Sequence, residues 1–245
     1  MYNNIKYKSV LSLLIVYFMV ILTGCEKPGI TIENFKASNL AVYDCWNDGE
    51  NTELYFTIDT SNTLHDGSLS FGRILDYLIV YSGNRTAKFI NAGDGSSVVN
   101  ANIALEDKKV YSLFLTGTLS APETVFIEDA VVPGPTPDKY KLRVANMISG
   151  AGSAYTVAIA ATGEPLSSAT ILESAINNKT VSDFKEFSEI RGKRYDIYAI
   201  NPGVDTILNP NVLLVGERSY TISLSGQKGS AYGSRMDLFE NVLRY

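Results

Sequence analysis

Acidic and amide side chains crowd one short segment of the chain, where Asp44, Asn47, Asp48 and Glu50 lie within seven positions. Ca²⁺ prefers six to eight oxygen ligands from closely spaced carboxylates, amides and carbonyls, so this segment is a candidate calcium loop. Its spacing lacks the alternate positions and the distal glutamate of a known calcium loop. Asn-Asp-Gly is also a common turn sequence. The calcium loop and the ordinary turn are both open, and the sequence favours the turn.

Two aromatic residues stand in the same segment, Tyr43 and Trp46, the latter being the sole tryptophan of the chain. Flat aromatic faces are used to stack sugars and to anchor protein partners. Aromatic residues in strand-like segments also pack in cores and on sheet faces. We keep a ligand-binding surface at Tyr43 and Trp46 as a candidate prediction, although strand propensity favours the alternative, packing in the core or on a sheet face.

The chain offers few residues for catalysis. Its one histidine, His65, lies in a turn-like Leu-His-Asp-Gly context, and no Gly-x-Ser-x-Gly nucleophile elbow occurs. One histidine and two cysteines are too few for a typical zinc site. We therefore expect no enzymatic activity, no catalytic residue and no cofactor, with an uncharacterised hydrolase as the alternative.

The amino-terminal segment has the pattern of an export signal. Lys6 and Lys8 precede a mostly apolar run at 10–22, and Leu-Thr-Gly-Cys then ends at Cys25. A run of this length is too short to cross about 30 Å of hydrocarbon as a helix. The pattern is typical of a cleaved signal peptide.

The four residues that end at Cys25 resemble the lipobox of bacterial lipoproteins. This resemblance implies that residues 1–24 are removed, that Cys25 carries the lipid and that residues 25–28 form a short lipidated tether. It also implies an outer-membrane lipoprotein whose body faces the periplasm or the cell surface. If Cys25 is acylated, Cys45 has no partner, so we expect no disulfide within the chain.

The charge balance limits the partners. The chain has 21 basic and 26 acidic residues, a formal net charge of −5. Nucleic-acid surfaces need clustered Lys and Arg, so we expect no nucleic-acid partner. The expected partners are the membrane, through the lipid anchor, and a glycan or another envelope protein.

A sequence pattern occurs twice. The segment 105–117 matches 214–226 at an offset of 109 positions, each with a polar turn, then Tyr, Leu or Ile and Leu at alternate positions, then Gly. Between them, residues 133–138 hold three of the eight prolines and are typical of a semi-rigid linker. We therefore predict two domains, at 29–132 and 139–245.

The periodicity is that of strands. Apolar and polar residues alternate in many short segments, and a helix is plausible only as a short piece near residues 168–175. Tyr111 and Tyr220 each lie six positions after a leucine, a spacing that resembles the tyrosine corner of immunoglobulin-like and fibronectin type III sandwiches. The predicted fold class is all-β, with two tandem immunoglobulin-like or fibronectin-like Greek-key β-sandwiches.

Several short sequence segments resemble the bacterial cell-envelope family called domain of unknown function number 4397. They are Leu-Ser-Phe-Gly from Leu69, Asp76-Tyr77, Ser82-Gly83, the segment 111–117 and Arg-Val-Ala-Asn from Arg143. The resemblance implies secreted or surface-anchored β-sandwiches, often in tandem, with no established activity. The anchor, the proline-containing linker and the missing catalytic constellation together predict a lipid-anchored envelope protein with a non-enzymatic binding or adhesion role. A glycan-binding accessory lipoprotein and a fimbrial or structural subunit are the alternatives.

Overall fold

The computed structural model describes residues 36–47, 52–59, 68–129, 137–150, 154–188, 192–229 and 233–241. These residues all belong to one compact unit, Lys36–Tyr245. The predicted signal peptide and lipidated tether lie outside the described residues, and so do four of the residues singled out above: Cys25, Asp48, Glu50 and His65.

The first part of the unit, called here the first repeat, consists of strands, some buried on one face and others on both faces. The strands are β1 (Ala37–Asp44), β2 (Leu54–Ile58), β3 (Ile74–Tyr81), β4 (Gly83–Asn91), β5 (Ser97–Leu105), β6 (Val110–Thr118) and β7 (Ala121–Asp129).

Two sheets build the first repeat. The first outer sheet has the order β2-β4-β5, and the first inner sheet has the order β3-β1-β6-β7. Within the inner sheet, β1 pairs antiparallel with β3 and parallel with β6. Leu40, Phe56, Phe89 and Leu113 belong to the buried core of this repeat. Burial of such side chains stabilises the sandwich by about 1.5–3 kcal/mol each.

The second repeat follows with its own strands. They are β8 (Lys139–Asn146), β9 (Tyr155–Ala161), β10 (Thr170–Ile176), β11 (Thr180–Val181), β12 (Lys185–Ser188), β13 (Arg194–Asn201), β14 (Asp205–Leu213), β15 (Ser219–Gly226) and β16 (Ser234–Glu240).

The second repeat reproduces the strand order of the first and adds one outer strand, β10. Its inner sheet has the order β11-β8-β15-β16, with β12 also paired to β8, and its outer sheet has the order β10-β9-β13-β14. Again the opening strand, β8, pairs parallel with the strand that follows the polar turn, β15. The all-β fold class and its tandem sandwiches are therefore confirmed.

The prediction of a short helix near residues 168–175 was wrong in position and in type. A 3₁₀ turn occupies Leu166–Ser168, whereas Thr170–Ile176 forms the edge strand β10. The β-branched Thr170 and Ile171 pair with β9, and this tertiary pairing decides the conformation of a segment that has little periodicity of its own.

The two tyrosine hydroxyls make the same backbone hydrogen bond in both repeats. The Oη of Tyr111 accepts the N–H of Glu106 at 3.0 Å. The Oη of Tyr220 accepts the N–H of Val215 at 3.1 Å. Each bond reaches back five residues, which is the interaction of a tyrosine corner. It ties the polar turn to the strand that enters the inner sheet.

The inner sheets of the two repeats pack face to face and share a third apolar layer, called here the middle layer. It includes Tyr43, Cys45 and Phe114 from the first repeat and Ala145 and Met147 from the second. Tyr43 and Phe114 stack with ring centroids 4.4 Å apart. The two repeats therefore join through a buried layer, in addition to the chain segment predicted as a linker. The predicted domain boundaries stay a prediction, since residues 130–136 are not described.

A buried ion pair crosses the middle layer. Arg143 Nη1 lies 2.6 Å from Asp129 Oδ1, and each side chain is only 2% exposed. Arg143 also donates to Thr221 Oγ1 at 2.8 Å and to Ser112 Oγ at 3.0 Å. Burial alone lowers the pKa of the guanidinium, but Tyr43 and Asp129 outweigh it and leave the pKa above its usual value.

Tyr77 supplies a further hydrogen bond to the Asp129 carboxylate. Its Oη donates to Asp129 Oδ2 at 2.9 Å, and burial raises the pKa of the phenol, so the donor proton is retained. Asn241 donates to both Tyr43 and Tyr77, at 2.9 and 3.3 Å. Hydrogen bonds thus reach every charged atom of the pair, as a charge removed from water requires.

Candidate functional site

The two aromatic residues predicted to bind a ligand are buried. Tyr43 is 0% exposed in the middle layer, and Trp46 is 8% exposed in the core of the first repeat. Trp46 Nε1 donates to the carbonyl of Thr118 at 3.0 Å, which satisfies its only polar atom. Neither ring offers a face for stacking, so the structure corrects the prediction of a binding surface at these residues and supports the core alternative.

The two weak calcium candidates among the described residues are also inside the protein. Asp44 and Asn47 are each 2% exposed. Asp44 Oδ1 accepts the N–H of Trp46 at 3.0 Å, the hydrogen bond of an Asx turn, and Asn47 donates to the carbonyl of Gly233. Within the described ranges, no group of three or more His, Cys, Asp or Glu residues could hold a metal ion.

Cys45 lies in the middle layer, with its Sγ 3.3 Å from Ser223 Oγ. Burial raises the pKa of the thiol, although the contact with Ser223 opposes this. A thiol of this kind is a poor nucleophile, because only the thiolate reacts readily.

The candidate site is an apolar row on the outward face of the second outer sheet. Val157 and Ile159 of β9 point into the core, so Ala158 between them points outward. Ala158 pairs with Ile171 of β10 on one side and with Tyr198 of β13 on the other. These neighbours leave Ala158 only 3% exposed although it lies on the outer face.

The row continues to the far edge of the sheet, because Tyr198 pairs with Leu208 of β14. We call Ile171, Ala158, Tyr198 and Leu208 the apolar row. Its two ends are exposed, Ile171 by 59% and Leu208 by 49%. With neighbouring strands about 4.8 Å apart, four strands give a row about 14 Å long. A small alanine between larger side chains makes a shallow, largely apolar surface.

The corresponding row of the first repeat is polar. Thr57, Lys88 and Asn100 pair across β2, β4 and β5 in the same arrangement. Lys88 therefore stands where the second repeat has Tyr198. Since the first repeat folds with polar residues at these positions, the sandwich itself does not require apolar ones there.

A fixed negative charge flanks the apolar row. Asp196 of β13 accepts hydrogen bonds from the N–H of Asn211 at 2.8 Å and from Thr162 Oγ1 at 2.9 Å. The bond from Asn211, with that from Thr162, outweighs the effect of burial and lowers the pKa of the Asp196 carboxyl. The carboxylate is thus ionised at neutral pH, beside an apolar surface that a partner can cover.

Sequence reasoning missed this surface. Ile171, Tyr198 and Leu208 belong to strands far apart in sequence, and the row appears only when the pairing register is known. The available signal was the alternation in 205–213, which places Leu208 opposite to Ile207, a residue packed against the core.

These features define a class: an all-β protein of two joined immunoglobulin-like sandwiches, with an exposed apolar row on one outer sheet. Residues 38–156 match the model of the family described as Domain of unknown function (DUF4397), which confirms the resemblance derived from the short sequence segments. The match covers the described strands of the first repeat and the opening of the second, and it ends before the segment 214–226.

No curated protein matches the chain. Among solved structures, a family 26 carbohydrate-binding module of Eubacterium rectale Amy13K, in complex with maltoheptaose, has 11% identity and a TM-score of 0.27, covering 85% of this chain and 98% of its own. The tip fimbrial protein Mfa3 of Porphyromonas gingivalis has 10% identity and a TM-score of 0.31, with coverages of 84% and 100%. At these scores neither match assigns a ligand or an assembly to this chain.

In the described part of the chain, no helix has the length and apolar character to cross a membrane.

Proposed function

We propose that this chain is a lipid-anchored cell-envelope protein with a non-enzymatic binding role, and that the apolar row is the surface through which it holds its partner. The observation that carries the proposal is the contrast between the repeats at this row, which is apolar in the second repeat and polar at the equivalent positions of the first. Exposed apolar surface that the fold does not need is typical of an interaction site.

The chemistry of the row favours an envelope protein or glycan with an apolar face. Tyr198 supplies a flat ring near the centre, and Ile171 and Leu208 extend the contact to either side. Tyr and large aliphatic side chains surrounded by polar residues form the energetic centre of many interfaces. Asp196 beside the row disfavours partners with acidic groups at that position.

Membrane attachment rests on Cys25, and the chain supplies its own control. Cys25→Ser is expected to abolish labelling by an alkyne-tagged palmitate and to move the protein from the membrane fraction to the soluble fraction. Cys45→Ser should leave both labelling and fractionation unchanged, because Cys45 is 2% exposed and reacts poorly. Equal labelling of the two variants would contradict the anchor.

Binding through the apolar row is tested with a pair of double variants. Tyr198→Ser with Leu208→Ser should weaken saturable binding of the fluorescent Cys25→Ser protein to isolated outer membranes by about tenfold or more, as loss of central interface residues does. Lys88→Ser with Asn100→Ser removes the polar equivalents in the first repeat and should leave the affinity unchanged.

Three results would contradict the binding proposal. One is equal affinity of the two double variants, and another is the absence of saturable binding by the parent protein. The third is turnover of polysaccharide or ester substrates by the purified protein, which would show an enzyme. Circular dichroism of both double variants establishes that their folds are intact.

A further inference from the structure

A cleft of about 890 Å³ lies where the turn before β3 faces β16, with Asn209 of β14 at one side. Its walls therefore come from both repeats. A volume of this size is in the range of sites for small organic ligands, about 300–1,000 Å³. None of the four residues of the apolar row lines the cleft, although Asn209 is the neighbour of Leu208 on β14, and the inference does not rest on the function proposed for that row.

Two arginines and one carboxylate line the cleft. Arg235 forms an ion pair with Asp237, two positions along the same face of β16. The Cζ of Arg235 lies 5.5 Å from the centroid of the Phe71 ring. Arg73 stands on the opposite wall, where it is exposed, and its charge acts to lower the pKa of the Asp237 carboxyl against the larger, opposite effect of burial. Among the described lining residues two cations stand against one anion, in a chain whose formal net charge is −5.

Gly72 brings the two walls together. A Cβ at this position would lie 2.6 Å from Arg235 Cζ, so the missing side chain lets the guanidinium lie against the turn. Stacking on Phe71 then holds the planar group in place. A guanidinium fixed in this way retains N–H groups that can bind a carboxylate in a planar, bidentate manner.

We propose that this cleft binds an acidic saccharide, with the sugar carboxylate held between Arg73 and Arg235. A cleft of about 890 Å³ has room for an organic molecule that carries an anionic group. The lining suits a sugar, because Ser70 and Asn209 offer hydrogen-bond partners for hydroxyl groups beside the two arginines.

The test uses trigalacturonate, 3′-sialyllactose and a chondroitin tetrasaccharide, each titrated into the Cys25→Ser protein by calorimetry. Methyl-esterified trigalacturonate and lactose serve as neutral counterparts that lack the carboxylate charge. We expect at least one acidic saccharide to bind and its neutral counterpart to bind about tenfold more weakly or worse, as loss of a charge-assisted hydrogen bond predicts.

The residues are tested with Arg73→Gln and Arg235→Gln, each expected to weaken the acidic saccharide about tenfold or more. Arg85→Gln is the matched control, since Arg85 is a partly exposed arginine on the first outer sheet, paired with Asp59. The proposal is overturned if none of the three saccharides binds at 1 mM, if the neutral counterparts bind equally well, or if Arg85→Gln has the same effect. Preferential binding of hexaglutamate would also overturn it, because the site would then recognise acidic peptides.

Discussion

Replacing Arg143 by methionine is expected to lower the free energy of unfolding by about 3–5 kcal/mol, because the substitution leaves Asp129 buried without its cation. Both side chains are 2% exposed, so water cannot replace the lost partner. Ser112 and Thr221 would lose a hydrogen-bond partner in the same step. Urea denaturation followed by circular dichroism measures the loss.

Two comparisons make the Arg143 experiment specific. Lys179→Met removes an ion pair that also joins the repeats, to Glu123 at 2.7 Å, but both of its side chains are 43% exposed. Such exposed pairs contribute about 0–1 kcal/mol. In a double-mutant cycle with Asp129→Asn, the combined loss should be smaller than the sum of the single losses, since the two charges depend on each other. If Arg143→Met and Lys179→Met lowered the free energy of unfolding equally, the buried ion pair would contribute no more to stability than the exposed one.

Replacing Phe114 by alanine is expected to cost about 3–5 kcal/mol of unfolding free energy, the range for a large aromatic side chain removed from a packed core. Phe114 is 0% exposed, and its ring stacks on Tyr43 with an interplanar angle of 16°. The residue lies between the repeats, so the loss measures how well the middle layer is packed. Chemical denaturation of the parent protein and the variant under the same conditions gives the value.

Two further variants bracket the Phe114 result. Phe89→Ala removes a side chain that is 0% exposed in the core of the first repeat and should cost a similar amount. Tyr55→Ala removes one that is 42% exposed and should change stability by about 0.5 kcal/mol or less. If Phe114→Ala behaved like Tyr55→Ala, the middle layer would be a loose contact between separate sandwiches.

Much of the fold could be predicted from local patterns. The repeated spacing from Leu105 to Tyr111 and from Leu214 to Tyr220 identified two copies of one unit, because the polar turn and the tyrosine are both close in sequence. Alternation identified strands for the same reason, since side-chain direction in a strand depends only on position. These features require no knowledge of which strands become neighbours.

The middle layer and the apolar row could not be predicted in this way. Tyr43 and Trp46 were candidates for a binding surface because they adjoin a polar turn, but the inner sheet that contains Tyr43 is covered on both faces. Whether a strand is covered on one face or two depends on what packs against it, and the second repeat supplies that cover here. The apolar row likewise depends on the register of four strands, which the sequence does not specify.

Burial of both faces of the inner sheets changes what counts as a transferable module. A single repeat moved into another protein would carry a bare face containing Tyr43 and Phe114, or its counterpart containing Ala145 and Met147. Such a face promotes self-association until it finds a complementary sheet. The portion of this chain suited to grafting or gene fusion is therefore the pair of repeats, 36–241, although the sequence repeats within it.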